Sequence, residues 1–350
     1  MNNSEYQTPN NYTFYDHIVC ADAKKTFSRF GLALFLFVLI GNLAVILIEL
    51  AVIVIAGEQA AAGFFENSVV ALLIGTLPMY VISLPILYLI VRKMPIRKRE
   101  KSNLSASEFC VLFLVSQTIS TVGNLMGNYL NTFFSVILGK EIDNTTIDLI
   151  LKCPPILVFA LVVVVGPIIE EFIFRKLLID RISKYGEVLA IVISSVAFGL
   201  FHGNFYQFFY ASFLGLIFGY VYVKTGKWIY PAMLHILFNF IGSFIPLMIM
   251  DSITAVEDAF VIISEGGTVD FALLFQDLMI YFTYVIVQYA MVISGAILFF
   301  SAIKNKRIEI KNTREACIPQ GRAAAVVVLN TGSLLFIILS LLLFAVSIFL

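Results

Sequence analysis

Six polar side chains interrupt apolar sequence in three short stretches. Glu170, Glu171 and Arg175 lie in GPIIEEFIFRKLL (166–178), His202 closes AFGLFH (197–202), and His235 and Asn239 bound HILFN (235–239). A charge near the centre of a membrane helix costs on the order of 2.5–3.5 kcal/mol on insertion scales, so such residues must be paired, wetted or close to an interface. Glu171 and Arg175 stand at i and i+4 with the acid first, the favourable order for an intrahelical ion pair. That pairing leaves Glu170 unaccounted for. Of the three histidines, His17 falls in a polar N-terminal stretch and reads as a surface residue, whereas His202 and His235 fall within or at the ends of apolar runs. Asn239 follows His235 by one turn on the same helix face, and Phe198 precedes His202 by one turn.

One carboxylate, two imidazoles and an amide on three helices make a set that can activate water. A glutamate in a low-dielectric site has a raised proton affinity and can act as a general base near neutral pH, while a neighbouring histidine orients the water or relays the proton. Histidine and asparagine can also donate to the oxyanion of a tetrahedral intermediate, a role worth about 3–4 kcal/mol per donor in known cases. Together these parts describe amide hydrolysis. The same atoms permit a second scheme, in which Glu170, His202 and His235 hold a zinc ion whose water attacks the carbonyl. Both schemes stay open at the level of sequence. No GxSxG-type nucleophile motif is present, which removes support for an acyl-enzyme route.

The elements that must position these groups are membrane helices. The chain has 350 residues, 60% hydrophobic and 13% charged, with a mean hydropathy of +0.95; soluble domains carry about 25% charged residues. Apolar runs near 30–56, 68–91, 107–139, 153–179, 186–203, 205–223, 228–250, 271–303 and 322–348 give about nine transmembrane helices, two of them short. With the N-terminus inside, 21 of the 23 Lys and Arg residues fall in inner segments, leaving only Lys140 and Lys152 outside. The 251–270 loop on the outer side carries acids and no base. The positive-inside rule therefore supports an all-α polytopic protein oriented N-in and C-out. Its first apolar run is longer than a cleaved signal's and reads as a retained anchor.

The expected organisation is a cytoplasmic tail at 1–29, three helices over 30–139, a four-helix core over 153–250 and two further helices over 271–350. No loop is long enough to fold alone, so the chemistry belongs in or beside the bilayer. Cys20, Cys110, Cys153 and Cys317 show no CxxC spacing and indicate neither a disulfide framework nor a cysteine-type zinc site. The basic residues are explained by insertion, and nothing points to nucleic acid. Ser212, Gly215 and Gly219, like Gly123 and Gly127, put small side chains on one face for close packing inside the protein. Gln117, Thr121, Asn124, Asn128 and Asn131 recur at steps of three and four, forming one polar stripe that must face other helices or a wet cavity; Gln117, Asn124 and Asn128 are candidates for lining a substrate path.

Depth along the helices allows the site to assemble. If the fourth and fifth spans turn near Lys184–Gly186, Glu170 and His202 each lie about 16 residues from Gly186, roughly 24 Å at 1.5 Å per residue. His235 and Asn239 lie roughly 13 and 20 Å from a turn near Gly226 by the same rise. His202 thus falls toward the outer end of its helix and His235 toward the inner end of its own.

EEFIFR (170–175), FGLFH (198–202) and HILFN (235–239) match EExxxR, FxxxH and HxxxN in order on successive membrane helices. In this the chain resembles the CAAX protease and bacteriocin-processing family of intramembrane endopeptidases, also called Abi or CPBP proteases, over about 155–245. The resemblance implies a CAAX-protease-like helical core and a metallo- or glutamate protease. Glu170 and His202 would activate the water, His235 and Asn239 would form the oxyanion hole, and Glu171, Arg175 and Phe198 would support them. It also implies a membrane-embedded or membrane-associated peptide or protein substrate. The short loops look bacterial, which favours a pheromone or bacteriocin precursor, or a membrane protein, in a bacterial plasma membrane over a prenylated CAAX substrate. A competing class is a non-catalytic membrane partner, such as a self-immunity protein or a sensor scaffold, which would not need Glu170. A transporter would be expected to carry internal repeats, and none is legible.

Overall fold

The computed structural model describes residues 14–306, 310, 316, 318, 319 and 321–349. Cys317, and Arg307, Lys311 and Arg314 of the inner basic set, lie outside them. Among the described residues the nine apolar runs form helices in order: α1 Phe14–Ala56, α2 Ser68–Val91, α3 Ala106–Leu138, α4 Pro155–Tyr185, α5 Glu187–Phe201, α6 Phe205–Thr225, α7 Ile229–Met248, α8 Phe271–Lys304 and α9 Thr331–Phe349. No strand occurs among the described residues. Eight of these helices are long and apolar enough to cross a membrane, which makes the chain a multi-pass membrane protein.

Two expectations are corrected. The tail expected at 1–29 gives way to helix from Phe14 onward, because AKKTFSRF continues the helical pattern and buries Ala23, Phe27 and Phe30. The outer loop expected at 251–270 contains a helix over Met250–Ser264. Its Ser252, Val256 and Ala259 form a buried stripe at steps of four and three, and Ser252 Oγ donates to Asp277 Oδ1 at 2.8 Å. Its acids, which made it read as a loop, sit on the other side.

The fifth span is a 15-residue helix, about 22 Å long against a hydrocarbon core of about 30 Å. It stops because Gly203 turns the chain with φ +66° and Asn204 starts α6, its side chain accepting from Gln207 N at 2.9 Å. α6 has 21 residues and is correspondingly longer.

The inner ends of the helices are tied by ions and backbone bonds. Asp180 accepts from Tyr222 Oη (2.6 Å) and Lys176 Nζ (2.7 Å) and faces Arg99 at 3.5 Å. Arg97 N donates to Asp180 O, Arg29 Nε to Ile90 O, and Lys184 pairs with Asp22 at 2.6 Å. The segments assigned to the cytoplasm thus gather at one end of the bundle, as the charge rule requires.

Small residues set the closeness of the central helices. A Cβ at Gly215 would lie 2.8 Å from Ser195 Cα, and one at Gly123 would lie 2.5 Å from Tyr210 Cα. At Gly199 it would run into Ser212 Oγ and lie 2.6 Å from Phe208 O. The small-residue faces therefore pack within the chain, α5 on α6 and α3 on α6. Gly199→Ala must push α5 off α6, and overpacking of this kind costs about 1–3 kcal/mol. It is expected to lower the unfolding temperature in detergent by several degrees, whereas Gly75→Ala, with open space around it, leaves that temperature unchanged.

Candidate active site

α4 carries the two glutamates on a short α-helical piece, Gly166–Glu171, between π-helical segments Val158–Val165 and Phe172–Ile179. The cause lies in Pro167. In the π register Gly166 N donates to Leu161 O, and the next donor would be residue 167, which has no N–H. The Val162 carbonyl is left over, and Asn239 Nδ2 donates to it at 2.9 Å. The Asn239 amide therefore ties α7 to the π segment with one hydrogen, leaving its second to point elsewhere. π segments recur at functional sites, and here the one before Gly166 leaves a backbone carbonyl for Asn239.

The charged core lies just inward. Glu171 and Arg175 are fully buried, joined by Arg175 Nε to Glu171 Oε2 at 2.8 Å and Arg175 Nη2 to Glu171 Oε1 at 3.2 Å. Arg175 Nη1 donates to Ser194 Oγ at 2.9 Å, and Ser194 Oγ donates to Phe174 O at 2.8 Å. Phe198 and Phe218 cover the guanidinium, their ring centres 5.1 and 5.8 Å from its carbon. The expected ion pair is thus present and desolvated, so Arg175 belongs to the helix interior and not to the inner basic loops.

His235 joins this core to Glu170. Its Nδ1 lies 3.2 Å from Glu171 Oε1 and its Nε2 3.8 Å from Glu170 Oε2. Glu171 Oε1 is the acceptor beside Nδ1, so Nδ1 carries the donated hydrogen and Nε2 faces Glu170. A single oxygen atom could touch both Glu170 Oε2 and His235 Nε2. His202 Nδ1 lies 2.8 Å from Phe198 O, an acceptor, so it too carries the proton on Nδ1 and presents Nε2. Phe198 stands edge-on to both imidazoles, with ring centres 5.0 Å from His202 and 5.7 Å from His235. The structure thus joins Glu171, Arg175 and His235 directly, sets Glu170 opposite His235, connects His202 to His235 through the Phe198 ring that touches both imidazoles, and ties Asn239 to Val162 on the helix that carries the glutamates.

The α3 stripe divides. Gln117 and Asn131 are buried, whereas Asn124 and Asn128 are exposed and bonded to each other, Asn128 Nδ2 to Asn124 Oδ1 at 2.8 Å. α8 packs on the inner half of α3, with Thr118 Oγ1 donating to Val292 O at 2.6 Å. Asn131, not Asn124 or Asn128, lines the cavity beside His202. Sequence reasoning also passed over Tyr80. A Cβ at Gly166 would lie 3.2 Å from Tyr80 Oη and 3.9 Å from Glu170 Oε1, so the missing side chain lets hydroxyl and carboxylate share one face. Ser194 and Phe218 were likewise unmarked, since serine and phenylalanine are ordinary in such helices.

The expected zinc ligands fit in one respect and fail in another. Both histidines hold Nδ1 against an acceptor and leave Nε2 available, the usual second-shell arrangement of a metal-bound imidazole. Among the described residues, however, no three His, Cys, Asp or Glu side chains are close enough together to hold a metal ion.

Fold and site together define a helical membrane protein with a buried glutamate–histidine centre. Residues 152–241 match the family model described as type II CAAX prenyl endopeptidase Rce1-like, bearing out the family resemblance over the stretch that holds every residue of that centre. The chain is 31% identical over 105 residues to YdiL of Bacillus subtilis (strain 168), named as a candidate membrane peptidase; the match covers 29% of this chain and 42% of YdiL. It is 31% identical over 112 residues to the membrane-embedded CAAX protease MroQ of Staphylococcus aureus (strain USA300), covering 29% of this chain and 44% of MroQ. The chain spans less than half the length of these curated relatives. No solved structure matches it.

Proposed function

We propose that the protein is an intramembrane endopeptidase that hydrolyses a peptide bond of a membrane-associated peptide or protein, a pheromone or bacteriocin precursor being the substrate class that fits best. The observation that carries this reading is the division of labour between adjacent glutamates: Arg175 engages Glu171, while Glu170 faces His235 Nε2 at 3.8 Å. Water bound between them attacks the substrate carbonyl as its proton passes to Glu170. The resulting oxyanion is met by the free Asn239 amide hydrogen and, when His235 is an imidazolium, by its Nε2–H. The C–N bond then breaks as Glu170 returns the proton to the leaving nitrogen, yielding a carboxylate and an amine. His202, with Nε2 as acceptor, orients the water.

The paired Nδ1 bonds favour a second reading, in which Glu170, His202 and His235 draw together around zinc; this would require His202 to move toward the other two. Elemental analysis of detergent-purified protein, beside cleavage of a reporter peptide, tests both. Metal-free protein that cleaves supports the glutamate mechanism. About one zinc per chain, lost together with cleavage in His202→Ala, supports the metal reading. Wild-type protein that inserts and folds but cleaves no peptide in a precursor library would sink both and favour a non-catalytic partner such as an immunity protein.

A further inference from the structure

The short α5 has a consequence for access. α5 stops at the 202–204 turn, where α6 begins, while α3 runs on past that turn from Gly127, which packs on Phe205 O, to Leu138; beside His202 lies a cavity of about 480 Å³. Its walls come from α1 (Val38, Asn42), the outer end of α3 (Asn131), the 140–146 segment, Tyr206 of α6 and the last turns of α9. All of these lie at the end of the bundle opposite the ionic ties of the inner face.

Two independent features of this cavity point to an occupant. Asn131 is only 3% exposed, lines the cavity, and its Nδ2 has no hydrogen-bond partner. A buried amide donor without an acceptor is costly, on the order of 1–3 kcal/mol, and a carbonyl oxygen in the cavity would satisfy it. The mouth is acidic. Glu141 and Asp143 line it, and with Asp148 they act electrostatically on Tyr206, whose hydroxyl donates to Ile142 O at 2.7 Å. The one cation there, among the described residues, is Lys140, and its Nζ already donates to Phe349 O at 2.9 Å.

We propose that this cavity seats an extended polypeptide segment entering from the outer face of the membrane, with Asn131 donating to one of its backbone carbonyls and Glu141 and Asp143 selecting basic side chains at the mouth. The proposal builds on the endopeptidase reading by naming the side of entry and the charge of the substrate. Val38, Met79, Phe201, Leu343 and Val346 make part of the lining apolar, but Asn42, Asn131, Asn204, His202 and the acidic rim supply the polar partners that a peptide backbone needs and a lipid tail does not.

The test uses the full chain carrying Glu170→Gln, in nanodiscs of phosphatidylcholine, titrated with two fluorescein-labelled peptides alike except for three lysines or three glutamates in the flanking segment. The lysine peptide is expected to bind about tenfold more tightly, since several partly screened charge pairs each contribute a few-fold. Adding Glu141→Gln and Asp143→Asn should reduce that preference to about twofold or less. Asn131→Leu should weaken the lysine peptide about fivefold or more while the unfolding temperature of the ligand-free protein holds or rises, because an orphaned donor has been replaced by an apolar group. Equal binding of the two peptides, or a preference that survives the rim changes, overturns the proposal. So does an Asn131→Leu protein that loses stability and affinity together, the mark of a purely structural residue. Because Glu170→Gln removes the proposed base, these readouts do not depend on cleavage. Selective binding with an inert wild type would overturn the peptidase reading alone, and cleavage without selectivity would overturn the cavity alone.

Discussion

Glu170→Gln is expected to lower peptide cleavage by about 10²–10⁴-fold, the range over which a positioned general base contributes, while leaving the unfolding temperature within a degree or two of wild type. The two halves of that expectation have separate causes. Glutamine keeps the shape and one acceptor oxygen of the side chain but cannot take the proton of an attacking water, so only the chemical step suffers. Stability is spared because the ionic work of the site is done one residue later, where Glu171 meets Arg175 at 2.8 Å, and because the Glu170 side chain retains 16% exposure. Initial rates on a reporter peptide and a thermal scan of the same preparation check both. A variant that cleaves normally would remove Glu170 from the reaction; one that unfolds early would make it a structural partner of His235. The same substitution separates an enzyme from an immunity protein or scaffold, which would keep its biological effect with glutamine in place.

The members of this centre were readable because charge and imidazole are conspicuous in apolar sequence. Glu171 and Arg175 could even be paired from their spacing, since i, i+4 is a local relation. What was not readable depended on how neighbouring helices meet. The polar stripe of α3 is one face by periodicity, yet its members have different fates: Asn131 meets a cavity, while Asn124 and Asn128 are exposed and bond to each other. Tyr80 had no signal at all, because its approach to Glu170 is granted by the absent side chain of Gly166 on another helix. Pro167 shows from sequence that some carbonyl loses its donor, but an α register would make it that of Val163; only the π register seen in the structure makes it Val162, to which Asn239 Nδ2 donates at 2.9 Å. The helix over Met250–Ser264 was missed because its acids outweighed a buried stripe only three residues long.

Arg175→Met should cost far more stability than Glu171→Gln with Arg175→Met together. Both partners of the pair are fully buried, and removing only the guanidinium leaves a desolvated carboxylate, a change that costs about 3–5 kcal/mol in buried pairs. In the double variant neither charge of the pair remains, methionine fills the space between Phe198 and Phe218, and the glutamine oxygen can still accept from His235 Nδ1. Most of the lost stability should therefore return, as it does when buried pairs are replaced by neutral groups of similar volume. Activity is expected to diverge from stability in the double variant. A neutral glutamine at position 171 holds His235 Nδ1 through a weaker hydrogen bond than the carboxylate does, so Nε2 is less often aimed at Glu170 and the reacting atoms, and cleavage stays low although the fold is restored. Unfolding of the wild type, Arg175→Met and the double variant in one detergent, with cleavage rates beside them, measures the coupling directly. A double variant no more stable than the single would mean that the arginine acts through Ser194 and the two aromatic rings, and that its charge is incidental. A double variant restored in both stability and rate would mean that the buried ion pair serves folding alone and that His235 needs no anion behind it.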